Sequence, residues 1–180
     1  MEQEAVLLRL LTWNMNTIWD VESVSRLVRV NRNSPPQDMV NVAGSDKAIN
    51  PNVLMSMPIR NFGQGMEIVE VVFFHLIGQR VTEEEVEAER AARGLVKDIY
   101  AQLAVNKADP TFMNKYGNGV SWCDAAGKRC MIANVEDPED HSRLVFVDYK
   151  LGELWFGTPT GGWWFAGVRL IKEGVRPHLA

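Results

Sequence analysis

Three histidines, two cysteines and one run of carboxylates are the side chains of this 180-residue chain from which metal binding or covalent chemistry could be built. Cys123 and Cys130 are separated by six residues, and no further Cys or His lies at the short spacing a structural zinc site requires. Two cysteines also cannot staple a fold, which suits a reducing compartment. His75 lies inside the apolar run EVVFFHLI, where a hydrogen-bonded or half-buried strand residue is expected in preference to a general base. His141 falls in an acidic loop and His178 near the terminus, and no H-x-x-x-H pair exists. The segment EDPEDH, 136–141, gathers four carboxylates and a histidine. Such a group could hold a hard cation or move protons, but Pro138 and the charge density describe a solvated turn, and EF-hand ligand spacing is absent. Cys123 and His141 show no spacing that marks a nucleophile with its base.

Phosphate chemistry fares no better. Between Gly119 and Gly127 stand seven residues, more than a phosphate loop allows, and Arg129 occupies the place of its Ser or Thr. The FGQGM segment at 62–66 precedes a strand and opens no helix, so its glycines cannot aim helix N-terminal amides at a pyrophosphate. No catalytic residue, metal ligand or cofactor site is therefore assigned.

The most unusual feature is aromatic: Trp155, Phe156, Trp163, Trp164 and Phe165 crowd two expected strands around a Gly-rich turn. Neighbours on a strand point to opposite faces, so Trp163 and Trp164 cannot enter the same core. One of them is left to a second layer or to a partner. Trp155, Trp163, Trp164 and Phe165, with Arg176 and Pro177 of the closing RPHLA, are accordingly the candidate interface.

The elements that would position these residues follow from periodicity. Val6, Leu7, Leu10 and Leu11 recur at helical spacing and predict an amphipathic N-terminal helix over 2–14. Residues 14–31 suit either period, with strand favoured after Glu22. Residues 31–65 are dense in Asn, Ser, Pro and Gly and read as a long loop or arm, with a decorated hairpin as the alternative. MEIVEVVFFHLI, 66–77, is rich in β-branched and aromatic residues and predicts a strand at the sheet's centre. Thr82 and Glu85 form a capping-box signature. The stripe Ala92, Leu95, Val96, Ile99, Tyr100 and Leu103 then extends that helix to 103. The stretch 110–130 reads as loop, ending in a hairpin turn at Ala126-Gly127. CMIANVE, RLVFVDY and the region of ELWFGTP with WWFAGVRLI read as strands. The expected fold is α+β: one domain, 1–180, with a mixed or antiparallel sheet of about five strands packed by two helices, 2–14 and 82–103, and long loops.

Composition sets the outer limits. A hydrophobic fraction of 46% with 23% charged residues excludes disordered, collagenous and disulfide-scaffold classes. The net charge of −4 gives no general attraction to nucleic acid or anionic lipid. Two glutamates precede the first apolar run, where a secretory signal would carry positive charge. The apolar stretch from Ile68 to Ile77 contains Glu70 and His75 and is too short to cross a bilayer as a helix.

The order of elements resembles the tail terminator proteins of long-tailed bacteriophages: an N-terminal helix, a variable β region, a strong strand, a helix and terminal strands. MEIVEVVFFHLIGQRVTEEEVEAERAARGLVKDIYAQL carries most of the likeness, and WWFAGVRLIKEGVR is similar to that family's final strand. The similarity is one of arrangement and assigns no role to any single residue. It implies a non-enzymatic virion protein assembled in the host cytoplasm. That protein would form a homo-oligomeric ring of six copies at the head-proximal end of the tail tube. The ring would stop tube growth and dock the neck, with nucleic acid present only as a genome passing through. Two readings from the residues stay open beside it: a small bacterial enzyme or ligand-binding protein with a pocket near the aromatic C-terminal strands, and a regulatory protein that docks one partner.

Overall fold

The computed structural model describes residues 21–40, 49–58, 65–76, 81–136, 143–149 and 163–169. The expected helix over 2–14, residues 150–162 with ELWFGTP, and the RPHLA tail lie outside them.

The alternation of Val24, Val28 and Val30 places one face of strand β1 (Val21–Asn31) inward. It pairs antiparallel with β2 (Met66–Leu76), Val21 opposite Leu76 and Asn31 opposite Met66. Two short helices, α1 (Pro36–Val40) and α2 (Pro51–Met55), lie in the connection. After β2 come α3 (Glu83–Ala92), a two-residue strand β3 (Leu95–Val96), α4 (Ile99–Ala108) and α5 (Phe112–Lys115). Strands β4 (Asn118–Cys123), β5 (Arg129–Glu136), β6 (Arg143–Tyr149) and β7 (Trp164–Arg169) complete the order. All join one seven-stranded sheet in the order β1-β2-β7-β4-β5-β6, with β3 added to β7. The fold is α+β with a mixed sheet, since β7 runs antiparallel to β2 and parallel to β4.

Both faces of the sheet carry a core. On one, Phe73, Val71, Ile132 and Trp164 pack with Met39 and Val40 of α1, Val53 and Leu54 of α2, Leu103 of α4 and Phe112 of α5. On the other, Phe74, Val72, Met131 and Phe165 meet Val86 of α3 and Leu95. Each large side chain so buried contributes roughly 1.5–3 kcal/mol.

Three expectations change. The helix placed over 82–103 is two helices with a strand between them. Gly94 adopts a positive φ of 64° and ends the first, Leu95 and Val96 pair with β7, and Asp98 starts the second by accepting from the Ala101 amide at 3.0 Å. The strand at 66–77 lies second from the sheet's edge, and the centre belongs to β7 and β4. The stretch 110–130 holds a helical turn and a whole strand, β4. Within 31–65, read as a long loop or arm with a decorated hairpin as the alternative, the described residues Met39, Val40, Val53, Leu54 and Met57 are buried against the core. They decorate the β1–β2 hairpin.

Where β1 ends, Arg32 is locked in place. Its guanidinium donates to Asp98 at 2.9 Å and, through Nε, to Glu67 at 3.0 Å. Burial opposes its charge, but the two carboxylates outweigh that and raise its pKa. The same Asp98 caps α4, so one carboxylate joins strand end to helix start.

Candidate interaction surface

Of the expected interface residues, Trp163, Trp164 and Phe165 are described. Trp164 is 7% exposed and Phe165 4%, one in each core, so both are interior to the single chain. Period two explains this: with covered surfaces on both sides of β7, adjacent aromatic rings each find a core. Trp163 packs half-buried against the second core, its ring over Gly119, where a Cβ would approach it to 3.1 Å. Trp155, Arg176 and Pro177 lie outside the described residues.

The described cysteines and His75 lie in different surroundings. Cys123 is exposed and Cys130 buried, the latter near the Ser56 hydroxyl, which accepts from Trp122 Nε1 at 3.0 Å. His75 stacks on Trp164 with ring centroids 5.5 Å apart. His141 and His178 lie outside the described residues, as does most of EDPEDH, of which Glu136 ends β5. Gly127, with φ 77°, makes the expected hairpin turn, and Gly119 belongs to β4. Among the described residues no three His, Cys, Asp or Glu side chains are placed to hold a metal ion. No described helix is long and apolar enough to cross a membrane.

Among the described residues, the large apolar side chains left exposed are Met55 of α2, at 75%, and three on the first hairpin. Leu27 is 52% exposed, Met66 60% and Ile68 56%. Leu27 lies opposite Glu70, Ile68 opposite Arg29, and Met66 opposite Asn31, so Leu27 and Ile68 are diagonal neighbours and Met66 follows Ile68 on the same face of β2. Glu70 also pairs with Arg169 of β7 at 3.5 Å, which gives the patch a charged border. Helix α3 covers that face farther along, beyond Val72, and stops short of the patch. A phase argument could have found Leu27, since it is out of step with Val24, Val28 and Val30. Met66 and Ile68 were hidden inside a run that looked buried on both sides.

Two further features surround this surface. Beneath α3, Glu83 accepts from the Ser121 hydroxyl at 2.6 Å and lies 3.6 Å from Arg129. Glu87 pairs with Arg90 at 2.7 Å and with Lys97 at 2.5 Å. Burial pushes the Glu87 pKa up, but hydrogen bonds and charge from Lys97 and Arg90 prevail and hold it below the usual carboxylate range. The void enclosed here, about 10 Å³, has room for about one water. These paired charges neutralise one another and fasten the helix. At the opposite end of the hairpin, an open groove of about 620 Å³ is lined by Glu22, Val24, His75, Lys115, Tyr116 and Trp164.

No family model, curated protein or solved structure matches the chain.

Proposed function

We propose that this protein acts by binding other protein surfaces, as a structural subunit of an assembly. The observation that carries the reading is the exposed patch of Leu27, Met66 and Ile68 beside a sheet whose two faces are otherwise well packed. Large apolar side chains left in water on one face mark interaction sites, and here Glu70, Arg29 and Asn31 stand among them. The particular assembly we propose is a phage tail, with the chain as a tail terminator or connector. It would form a ring at the head-proximal end of the tube, halting tube polymerisation and docking the neck. The arrangement of elements in the sequence supports this. In such a ring the contact is heterologous, and closure prevents growth into a filament. The patch on the β1–β2 hairpin takes the place that the aromatic strand held in the sequence reading. Negative-stain electron microscopy and sedimentation velocity test it: rings are expected for the wild type, and loss of rings in Ile68→Asp with an unchanged circular dichroism spectrum. A wild-type monomer at every concentration, with and without tail tubes, would overturn the ring.

A second reading has its own observation. The groove beside Trp164 joins an aromatic wall to Lys115, Glu22 and His75, the mixture of apolar lining and few polar groups that suits a small ligand. A ligand that shifts the tryptophan fluorescence of the wild type but not of Trp164→Phe would favour it.

A further inference from the structure

The sheet has two outer strands, β1 and β6, and they differ in how they end the hydrogen-bond ladder. On β6, Val147 forms a parallel bridge with Ile49, and its carbonyl accepts from the Asn50 amide at 2.8 Å. On β1 no strand or loop among the described residues pairs with the outer side. The strand is 11 residues long, and its register against β2 runs from Val21 to Asn31 without a bulge. A long, straight, unpaired edge is a template for another strand unless something covers it.

We infer that the first part of β1, Val21–Leu27, is paired, in the free protein, with the same residues of a second copy, antiparallel about a twofold axis at Val24. The side chains favour this occupant and this register. A twofold axis normal to the sheet keeps equivalent faces on the same side, so residues opposite one another must be on the same face. With Val24 opposite its own copy, Glu22 meets Arg26 of the second copy, and the symmetry makes that pair twice. Ser23 then meets Ser25. Shifting the axis to Ser25 sets Glu22 against Val28, and shifting it to Arg26 brings like charges together. With Leu27 on the axis, Arg26 meets Val28. Within β1, only the Val24 register matches opposite charges, and directly opposed residues of opposite charge stabilise an antiparallel pair while like charges weaken it. Arg26 is already held on the required face, its guanidinium 5.1 Å from the Phe112 ring centre. Glu22 is exposed and Val24 only partly buried, so the second strand finds them accessible.

The contact is distinct from the ring proposed above and does not depend on it, because a twofold pair forms between two copies whatever larger assembly they enter. The test is a charge swap in the full chain, read by sedimentation velocity over a concentration series. The wild type is expected to dimerise. Arg26→Glu and Glu22→Arg should each raise the dimer dissociation constant roughly tenfold or more, and the double variant E22R/R26E should return it close to wild type. Because Arg26 touches Phe112, the Glu22→Arg variant, altered only at an exposed position, keeps the result readable if Arg26→Glu folds poorly. In a Cys123→Ser background, Val24→Cys should form a disulfide between copies. A wild-type monomer would mean that the edge is covered by the protein's own chain or not at all, and would overturn the inference. So would single variants that dimerise as the wild type does, or a double variant that stays as weak as the singles.

Discussion

The two edges of the sheet solve one problem in opposite ways. At β6 the chain folds back on itself: Asn50 donates its amide to Val147 and its side chain to Asp148 at 2.9 Å, and the same side chain accepts from the Asn52 amide to start α2. One asparagine thus ends a sheet edge and begins a helix. At β1 the effort goes into holding the strand straight, with Arg32 clamped between Asp98 and Glu67 at its end, while its outer side pairs with nothing among the described residues. Exposed edges invite pairing with other chains, so natural sheets cover, bend or charge them. Among the described residues, Ile49 and Asn50 meet the β6 edge at Val147, while the β1 edge is braced at its end and is the one for which a second copy is inferred above.

The largest expected effect comes from unbracing β1. The side chains of Arg32 and Asp98 are only 4% and 2% exposed, so Asp98→Ala would leave a buried cation without its main partner and remove the cap of α4. A loss of about 3–5 kcal/mol is expected in urea unfolding. A loss under about 1 kcal/mol would show that water reaches Arg32 and that the brace is weak.

Next comes β7 at the sheet centre. A Cβ on Gly167 would lie 2.8 Å from Leu95 Cβ and 3.2 Å from Arg90 Cγ, and Arg90 Nε donates across that spot to the Ala166 carbonyl at 2.9 Å. Gly167→Ala should therefore cost about 1–3 kcal/mol by forcing α3 and β3 outward. An unchanged denaturation midpoint would mean that this region repacks freely.

Asn50→Ala sharpens the comparison directly, because it loosens the covered edge and leaves the other alone. Loss of a helix cap costs about 1 kcal/mol. Amide exchange over residues 49–56 should accelerate while β1 keeps its protection. Equal acceleration in both would mean the two edges open together as one cooperative unit.

How far these regions could be read in advance depended on whether a local signal agreed with the packing. The capping box did: Thr82 and Glu85 exchange both bonds, at 2.8 and 3.2 Å. The α+β class, β1 after Glu22 and the turn at Gly127 were legible for the same reason. The helix over 82–103 failed because Leu95, Val96, Ile99 and Leu103 fit a helical stripe, although the first two are strand residues on β7 and the last two belong to another helix. Gly94 and Asp98 were the signals that separate them. Strand β4 was missed because NGVSWC is covered on both faces and shows no alternation, and its glycine looked like a loop residue although it makes room for Trp163. Asn50-Pro51 is a plain helix start, with proline at the first helical position, but the surrounding Pro and Asn content masked it. The interface expectation rested on strand parity, which is correct for Trp163 and Trp164. Parity could not reveal that both faces of β7 are covered by the same chain.

The smallest expected effect serves as a control, because it alters α3 and touches neither edge. Glu87→Gln removes a carboxylate that pairs with Arg90 and Lys97, and the Glu87 side chain is 44% exposed, so screening by water reduces its worth. A destabilisation of about 0.5 kcal/mol or less is expected at neutral pH. Its pH dependence has a definite sign. The folded-state pKa of Glu87 lies below its ordinary value, so its contribution is fully present above that ordinary value and is lost as pH falls through the folded pKa. The stability gap between wild type and Glu87→Gln should therefore be constant from neutral pH down to the normal carboxylate range and close below it, as urea midpoints measured from pH 7 to pH 3 (about four units) would show. Raised salt should narrow the gap as well. Self-association through β1 should be the same in both proteins. A gap that widened in acid would mean that Glu87 is stabilised in its protonated form, contrary to the ion pairs. An effect on association would mean that α3 and the β1 edge are coupled across the sheet.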